Sequence, residues 1–137
     1  MSATNVDLVR RVYNALLRDD LDAALEFMDE EIEYVNPDYA VEAGRRYGHA
    51  GIRANVENMR VSFEHWRFEP EEFVDVGDQV AVVGTFRARG RDSGIEIERR
   101  QSRLWTIRDG KVVRYQWFDG PAEAMDRTGP GSADQNR

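Results

Sequence analysis

A chain of 137 residues is one domain's worth of polypeptide, and its 41% hydrophobic and 33% charged residues are globular values. The absence of cysteine removes disulfides, thiolate nucleophiles and sulfur-ligated zinc, and the net charge of −7 argues against nucleic acid or an anionic membrane as partner. No apolar run approaches the roughly 20 residues that cross a bilayer, and the first residues lack the apolar core of an export signal, so the expected location is cytoplasmic.

Leu8, Val9, Val12, Tyr13, Leu16 and Leu17 recur at helical spacing and predict a first helix over residues 6–17. Asp19 or Asp20 caps a short second helix whose apolar side is Leu21, Ala24, Leu25 and Met28. Residues 31–36 alternate and stop at Pro37, which predicts a short edge strand, and residues 38–47 read as a loop. A third helix starts at Gly48 and carries Ile52, Val56, Met59 and Phe63 on one stripe. From Trp66 the period changes to two, predicting strands over 66–69, 72–76, 80–89, 95–107 and 111–118, with Asp109-Gly110 the strongest hairpin signal. A last helical turn is expected over 122–126, with Pro121 at its first position, and a loose tail after it.

Three helices followed by a strand meander carry several local matches. They are Val12-Tyr13-Asn14-Ala15-Leu16 with Asp20-Leu21-Asp22, Tyr47-Gly48-His49-Ala50-Gly51-Ile52, Gly77-Asp78-Gln79-Val80, and residues 104–113 ending in Asp109-Gly110-Lys111-Val112-Val113. On these the chain resembles the SnoaL-like and ketosteroid-isomerase-like proteins of the nuclear transport factor 2-like superfamily. The resemblance implies an α+β, cone-shaped, cystatin-like fold, with three N-terminal helices packed on a curved antiparallel sheet that encloses a pocket. The domain would span residues 1–127, with residues 128–137 a flexible tail. The superfamily hosts isomerases, cyclases, hydrolases, dehydratases and non-enzymes, so the fold alone does not choose a reaction.

Position by position, the resemblance implies that the isomerase reaction is not retained. Asn36-Pro37 stands where the isomerases have their Asp-Pro base, Val12 where they have the oxyanion tyrosine, and Arg103 near their second oxyanion donor. Tyr13 follows Val12 on a different helical bearing. The aspartate base of the SnoaL-type cyclases corresponds to Trp117. Tyr34, Asn36 and Asp119 match part of the limonene-epoxide-hydrolase set, whose Arg-x-Asp corresponds to Gly84 and Phe86.

Alternation supplies a site of its own. Arg99, Gln101, Arg103, Trp105 and Ile107 share one strand face, and Lys111, Val113, Tyr115, Trp117 and Asp119 share another. With both faces concave, Arg103, Trp105, Tyr115, Trp117 and Asp119 line a pocket beside Tyr34 and Asn36. Asp119 is then the candidate general base and Arg103 the electrophilic or anion-holding group. Tyr34 and Asn36 orient a ligand, and Trp105, Tyr115 and Trp117 form walls. The structural alternatives are an Asp119 helix cap, an Arg103 ion pair with Asp119 or a glutamate, and an Asn36 turn. His49 reads as structural, no metal site is expected, and no cofactor is called for. Arg87, Arg89 and Arg91 face Glu96, Glu98, Arg99 and Arg100 across the turn from Gly90 to Gly94, so cross-strand pairs of Arg with Glu explain most of the basic stretch. Ala81, Val83, Leu104 and Phe118 suggest a face for a second copy, hence a homodimer. The expected function is binding of a small, mostly apolar metabolite, with cofactor-free acid/base catalysis of isomerase, cyclase, dehydratase or epoxide-hydrolase type. A non-catalytic binding or dimerisation module is the other open reading.

Overall fold

The computed structural model describes residues 2–40 and 44–128, with side chains from Asn5 onward. Apart from Thr128, the expected tail lies outside the described residues. Helix α1 (Ser2–Leu17) buries Val9, Val12, Tyr13 and Ala15 and turns at Asp19, whose φ is 59°. The Asp20 carboxylate accepts from Ala23 N at 3.1 Å and so caps α2 (Leu21–Leu25). Met28, expected on α2, instead begins β1 (Met28–Asn36).

A four-residue strand, β2 (Gly44–Tyr47), occupies the expected loop and pairs antiparallel with β1. Helix α3 (Gly48–Ser62) follows directly. Gly48 is required at that junction, because its φ is +74° and a Cβ would stand 3.1 Å from the Glu30 carbonyl oxygen. The long strands β3 (Phe63–Val76), β4 (Gln79–Gly90), β5 (Glu96–Arg108) and β6 (Lys111–Phe118) complete one six-stranded sheet in the order β2-β1-β6-β5-β4-β3. Two corrections follow. Strand β1 is not an edge, since it lies between β2 and β6, and it runs parallel to β6 while every other pair is antiparallel. The two strands expected over 66–69 and 72–76 are one strand, interrupted by an irregularity between Pro70 and Glu72.

The core fills the space between α1, α2, α3 and the concave face of the sheet, around Ile32, Val80, Val82, Trp105 and Val112. On the convex face, Ala81, Leu104 and Phe118 cluster with Ala124 of the short α4 (Glu123–Asp126), and Val83 is buried as well. Ala81, Leu104 and Phe118 of the patch that suggested self-association therefore pack against the chain's own last helix. Pro121 lies before that helix rather than in its first turn, and Ser102 organises the approach: its hydroxyl donates to Gly120 O (2.7 Å) and accepts from Ala124 N (3.0 Å). Of the expected cross-strand Arg–Glu pairs, Arg87–Glu98 (3.0 Å) and Arg89–Glu96 (3.8 Å) form across β4 and β5, whereas Arg91 donates to backbone carbonyls of Arg60 and Phe63. Among the described residues no helix is long and apolar enough to cross a membrane.

Candidate functional site

Alternation along β5 and β6 puts Arg103 opposite Trp117 and Trp105 opposite Tyr115 on the concave face. That face, with α1, α3 and the start of β3, bounds a cavity of about 950 Å³. Tyr34, Asn36, Arg103, Trp105, Tyr115 and Trp117 all line it. One end is buried among aromatic rings. The other opens between the α1–α2 turn, the end of α3 and the first residues of β3, where Asp19, Asp20, Arg60, Glu64 and His65 are exposed.

The buried end is built from interlocked rings. Trp105 contacts Tyr13 (centroids 5.4 Å apart, edge on) and Tyr115 (4.5 Å), and Tyr115 contacts Tyr34 (5.0 Å). Each such pair adds roughly 0.5–1.5 kcal/mol beyond its buried area, which holds the rings still enough to present their hydroxyls. Trp105 Nε1 donates to the Tyr13 hydroxyl at 3.0 Å, so the Tyr13 proton is available to another acceptor. Asn55 on α3 hydrogen-bonds the Tyr34 hydroxyl, and Trp117 Nε1 donates to Asn36 Oδ1 at 2.7 Å. Asn36 is thus held in the cavity wall by a tryptophan rather than spent on closing a turn.

Burial raises the pKa of Tyr13, Tyr34 and Tyr115 above the usual phenol value, with Tyr115 adding to the rise at Tyr13 and Tyr34. The Arg103 guanidinium opposes the shift at all three, which places one cation among three neutral phenols.

Arg103 itself is only 7% exposed. Its guanidinium lies 4.0 Å above the Phe68 ring, and Nη1 donates to Gln101 Oε1 at 2.7 Å. The expected ion pair is not made: no carboxylate of the described residues contacts Arg103, although the chain carries a surplus of acids.

Asp119 does not line the cavity. Strand β6 ends at Phe118, and the Asp119 carboxylate turns toward β5, accepting from Gln101 Nε2 at 3.0 Å and pairing with Arg99 at 2.6 Å. It stands behind Gln101, away from any ligand, and it caps nothing, because α4 has no side-chain cap. The candidate base thus lies outside the cavity lining, hydrogen-bonded to Gln101 and paired with Arg99.

Cavity residues outside the expected set include Tyr13, Asn55, Phe68 and Arg91. Tyr13, on a different helical bearing from Val12, reaches the cavity, while Val12 is fully buried in the core. Arg91 Nε donates to Arg60 O (2.9 Å) and Nη2 to Phe63 O (3.0 Å), which pins the junction of α3 and β3 at the opening. His49 Nε2 lies 3.0 Å from the Met28 carbonyl oxygen, a structural contact. Among the described residues no group of three His, Asp or Glu could hold a metal ion.

Comparison with known proteins agrees with this architecture. A family profile described as a SnoaL-like domain matches residues 9–115. No curated protein matches significantly. Among solved structures, an NTF2-like protein from Burkholderia thailandensis E264 is 26% identical with a TM-score of 0.79, covering 88% of this chain and 96% of its own. TerC, co-crystallised with polyporic acid, is 25% identical with a TM-score of 0.78, covering 90% and 96%. An NTF2-like protein of unknown function from Burkholderia pseudomallei K96243 is 24% identical with a TM-score of 0.78, covering 90% and 95%. With helices closing over a bent sheet and the profile spanning most of its length, the chain belongs to the SnoaL-like domain family.

Proposed function

We propose that the chain binds a small, mostly apolar, ring-bearing metabolite in the cavity between α1, α3 and the sheet, with Tyr13, Tyr34, Tyr115 and Arg103 donating hydrogen bonds to oxygen on it. One observation carries the reading: three phenols kept protonated by burial and one guanidinium converge on the closed end of an otherwise aromatic cavity. About 950 Å³ sits at the upper end of the roughly 300–1,000 Å³ of ligand pockets. TerC, a neighbour co-crystallised with polyporic acid, supports small-molecule binding on this fold.

The chemistry open to such a wall is electrophilic. A protonated phenol or guanidinium facing a carbonyl oxygen stabilises negative charge as it develops there, which serves enolisation, cyclisation or dehydration without a cofactor. The cavity's carboxylates among the described residues, Asp19, Asp20 and Glu64, all stand at the exposed opening, away from the phenols. That placement favours a second reading, ligand binding without turnover.

Both readings share one test. Small ring compounds that raise the Tm of the wild type are titrated into Val56→Trp, which fills the cavity from α3. The variant is expected to keep its fold by circular dichroism and lose the hits. Undiminished binding to Val56→Trp places the ligand elsewhere and removes the reading.

A further inference from the structure

We infer that the cavity is specific for an organic anion, a ring-bearing carboxylic acid whose carboxylate docks on Arg103. The inference deepens the small-molecule reading and rests on it. Its ground is the state of Arg103. A guanidinium taken out of water normally brings a carboxylate with it, since the cost of desolvating the charge is several kcal/mol. Arg103 has instead one neutral acceptor, Gln101 Oε1, and the face of Phe68. Of the five N–H donors of an arginine, one is thus used, and the side chain lines the cavity while 7% exposed.

The other polar groups at this end strengthen the selection for an anion. The Tyr13 hydroxyl accepts from Trp105 and keeps its own proton to give, and Tyr115 stands against the same ring. Burial keeps these phenols protonated, so they donate to a carboxylate rather than repel it. No cavity carboxylate lies at this end to compete, because Asp19, Asp20 and Glu64 are at the opening. Those same acids, with Arg60 and Arg67 beside them, make the opening of mixed charge, so the preference for an anion arises at the closed end alone.

The guanidinium is also prevented from leaving. Gln101 is 6% exposed and is itself anchored by Asp119, while Phe68 covers the other side of the Arg103 plane. A side chain with four rotatable bonds is held in one place without being neutralised, which is the arrangement a fixed anion subsite needs.

Biphenyl-4-carboxylate and its neutral isostere biphenyl-4-carboxamide separate the two levels of the reading. Isothermal titration of the full chain at pH 7 is expected to show the carboxylate binding at least about tenfold more tightly than the amide, the usual scale for hydrogen bonds to a charged group. Arg103→Met should bring the two probes level and raise the Tm, because it removes a buried charge that no acid compensates. A structural arginine would give the opposite Tm change. Equal affinity of the wild type for both probes overturns the anion subsite and leaves the cavity reading to the Val56→Trp test. A preference that survives Arg103→Met likewise overturns it. Failure of both probes to bind the wild type overturns the anion subsite and the cavity reading together. The wild-type comparison decides the matter even where Arg103→Met fails to fold.

Discussion

Gln101 stands between Arg103 and Asp119, and its amide satisfies both in one orientation: Oε1 toward the guanidinium and Nε2 toward the carboxylate. The Asp119 carboxylate offers acceptors alone and thereby sets which way Gln101 points, and Gln101 in turn holds Arg103. Replacing Gln101 by Leu removes its hydrogen bonds to both Arg103 and Asp119 and is expected to weaken a carboxylate ligand by about threefold to tenfold while sparing a neutral one. Titration of both probes checks this, and an equal loss for both would mean that Gln101 only packs. Asp119→Asn, by contrast, keeps an acceptor for Gln101 and should change carboxylate affinity by no more than about threefold; loss of any measured turnover in that variant would restore Asp119 as a base. At this scale the site was half legible. Arg103, Trp105, Tyr115 and Trp117 follow from the two-residue pleat. Asp119 does not, because it lies beyond the last paired residue, where the pleat no longer dictates direction. Tyr13 was missed because neighbouring helix positions differ by about 100°, and correspondence with the isomerases fell on Val12 rather than on the ring that reaches the cavity.

Strand β3 is the element that gives the cavity its curved wall. Its irregularity between Pro70 and Glu72 faces Gly84 on β4, and a Cβ at Gly84 would stand 2.2 Å from the Glu69 carbonyl oxygen and 2.8 Å from Phe68 Cζ. Phe68 is the ring under Arg103, so close approach of the two strands and placement of the guanidinium share one cause. Gly84→Ala is expected to destabilise the fold by at least about 1–3 kcal/mol, the usual cost of overpacking, and to weaken carboxylate binding as Phe68 shifts. Urea denaturation measures the first, and an unchanged midpoint would show that β3 yields freely. The bend was not legible, since Pro70 between two alternating runs read as a break between strands. Strand β2 was hidden for a different reason. Gly44, Arg45, Arg46 and Tyr47 have no apolar alternation, and the strand is held by its ladder with β1 and by Arg45 pairing with Glu33.

For the whole molecule, the three N-terminal helices, the meander and the final Asp-Gly hairpin were readable from periodicity and turn chemistry. The parallel neighbour relation of β1 and β6 was not, because it joins segments about eighty residues apart that carry no matching pattern. The fold as built raises the pKa of three phenols, chiefly through burial, and this has a consequence at high pH. A phenol whose pKa is raised by folding contributes stability that is complete below the unfolded value near 10 and is lost as pH climbs above it. Alkaline titration should therefore show three of the five tyrosines ionising only as the chain unfolds, read as absorbance near 295 nm beside circular dichroism. Reversible ionisation of all five with the dichroism intact would mean that water already reaches the closed end.

The most direct test is a crystal structure of the wild type grown with biphenyl-4-carboxylate. The rings are expected between Trp105, Tyr115 and α3, with the carboxylate oxygens within hydrogen-bond distance of the Arg103 guanidinium. A carboxylate found at Arg60 or Arg91 near the opening, with Arg103 untouched, would contradict this placement.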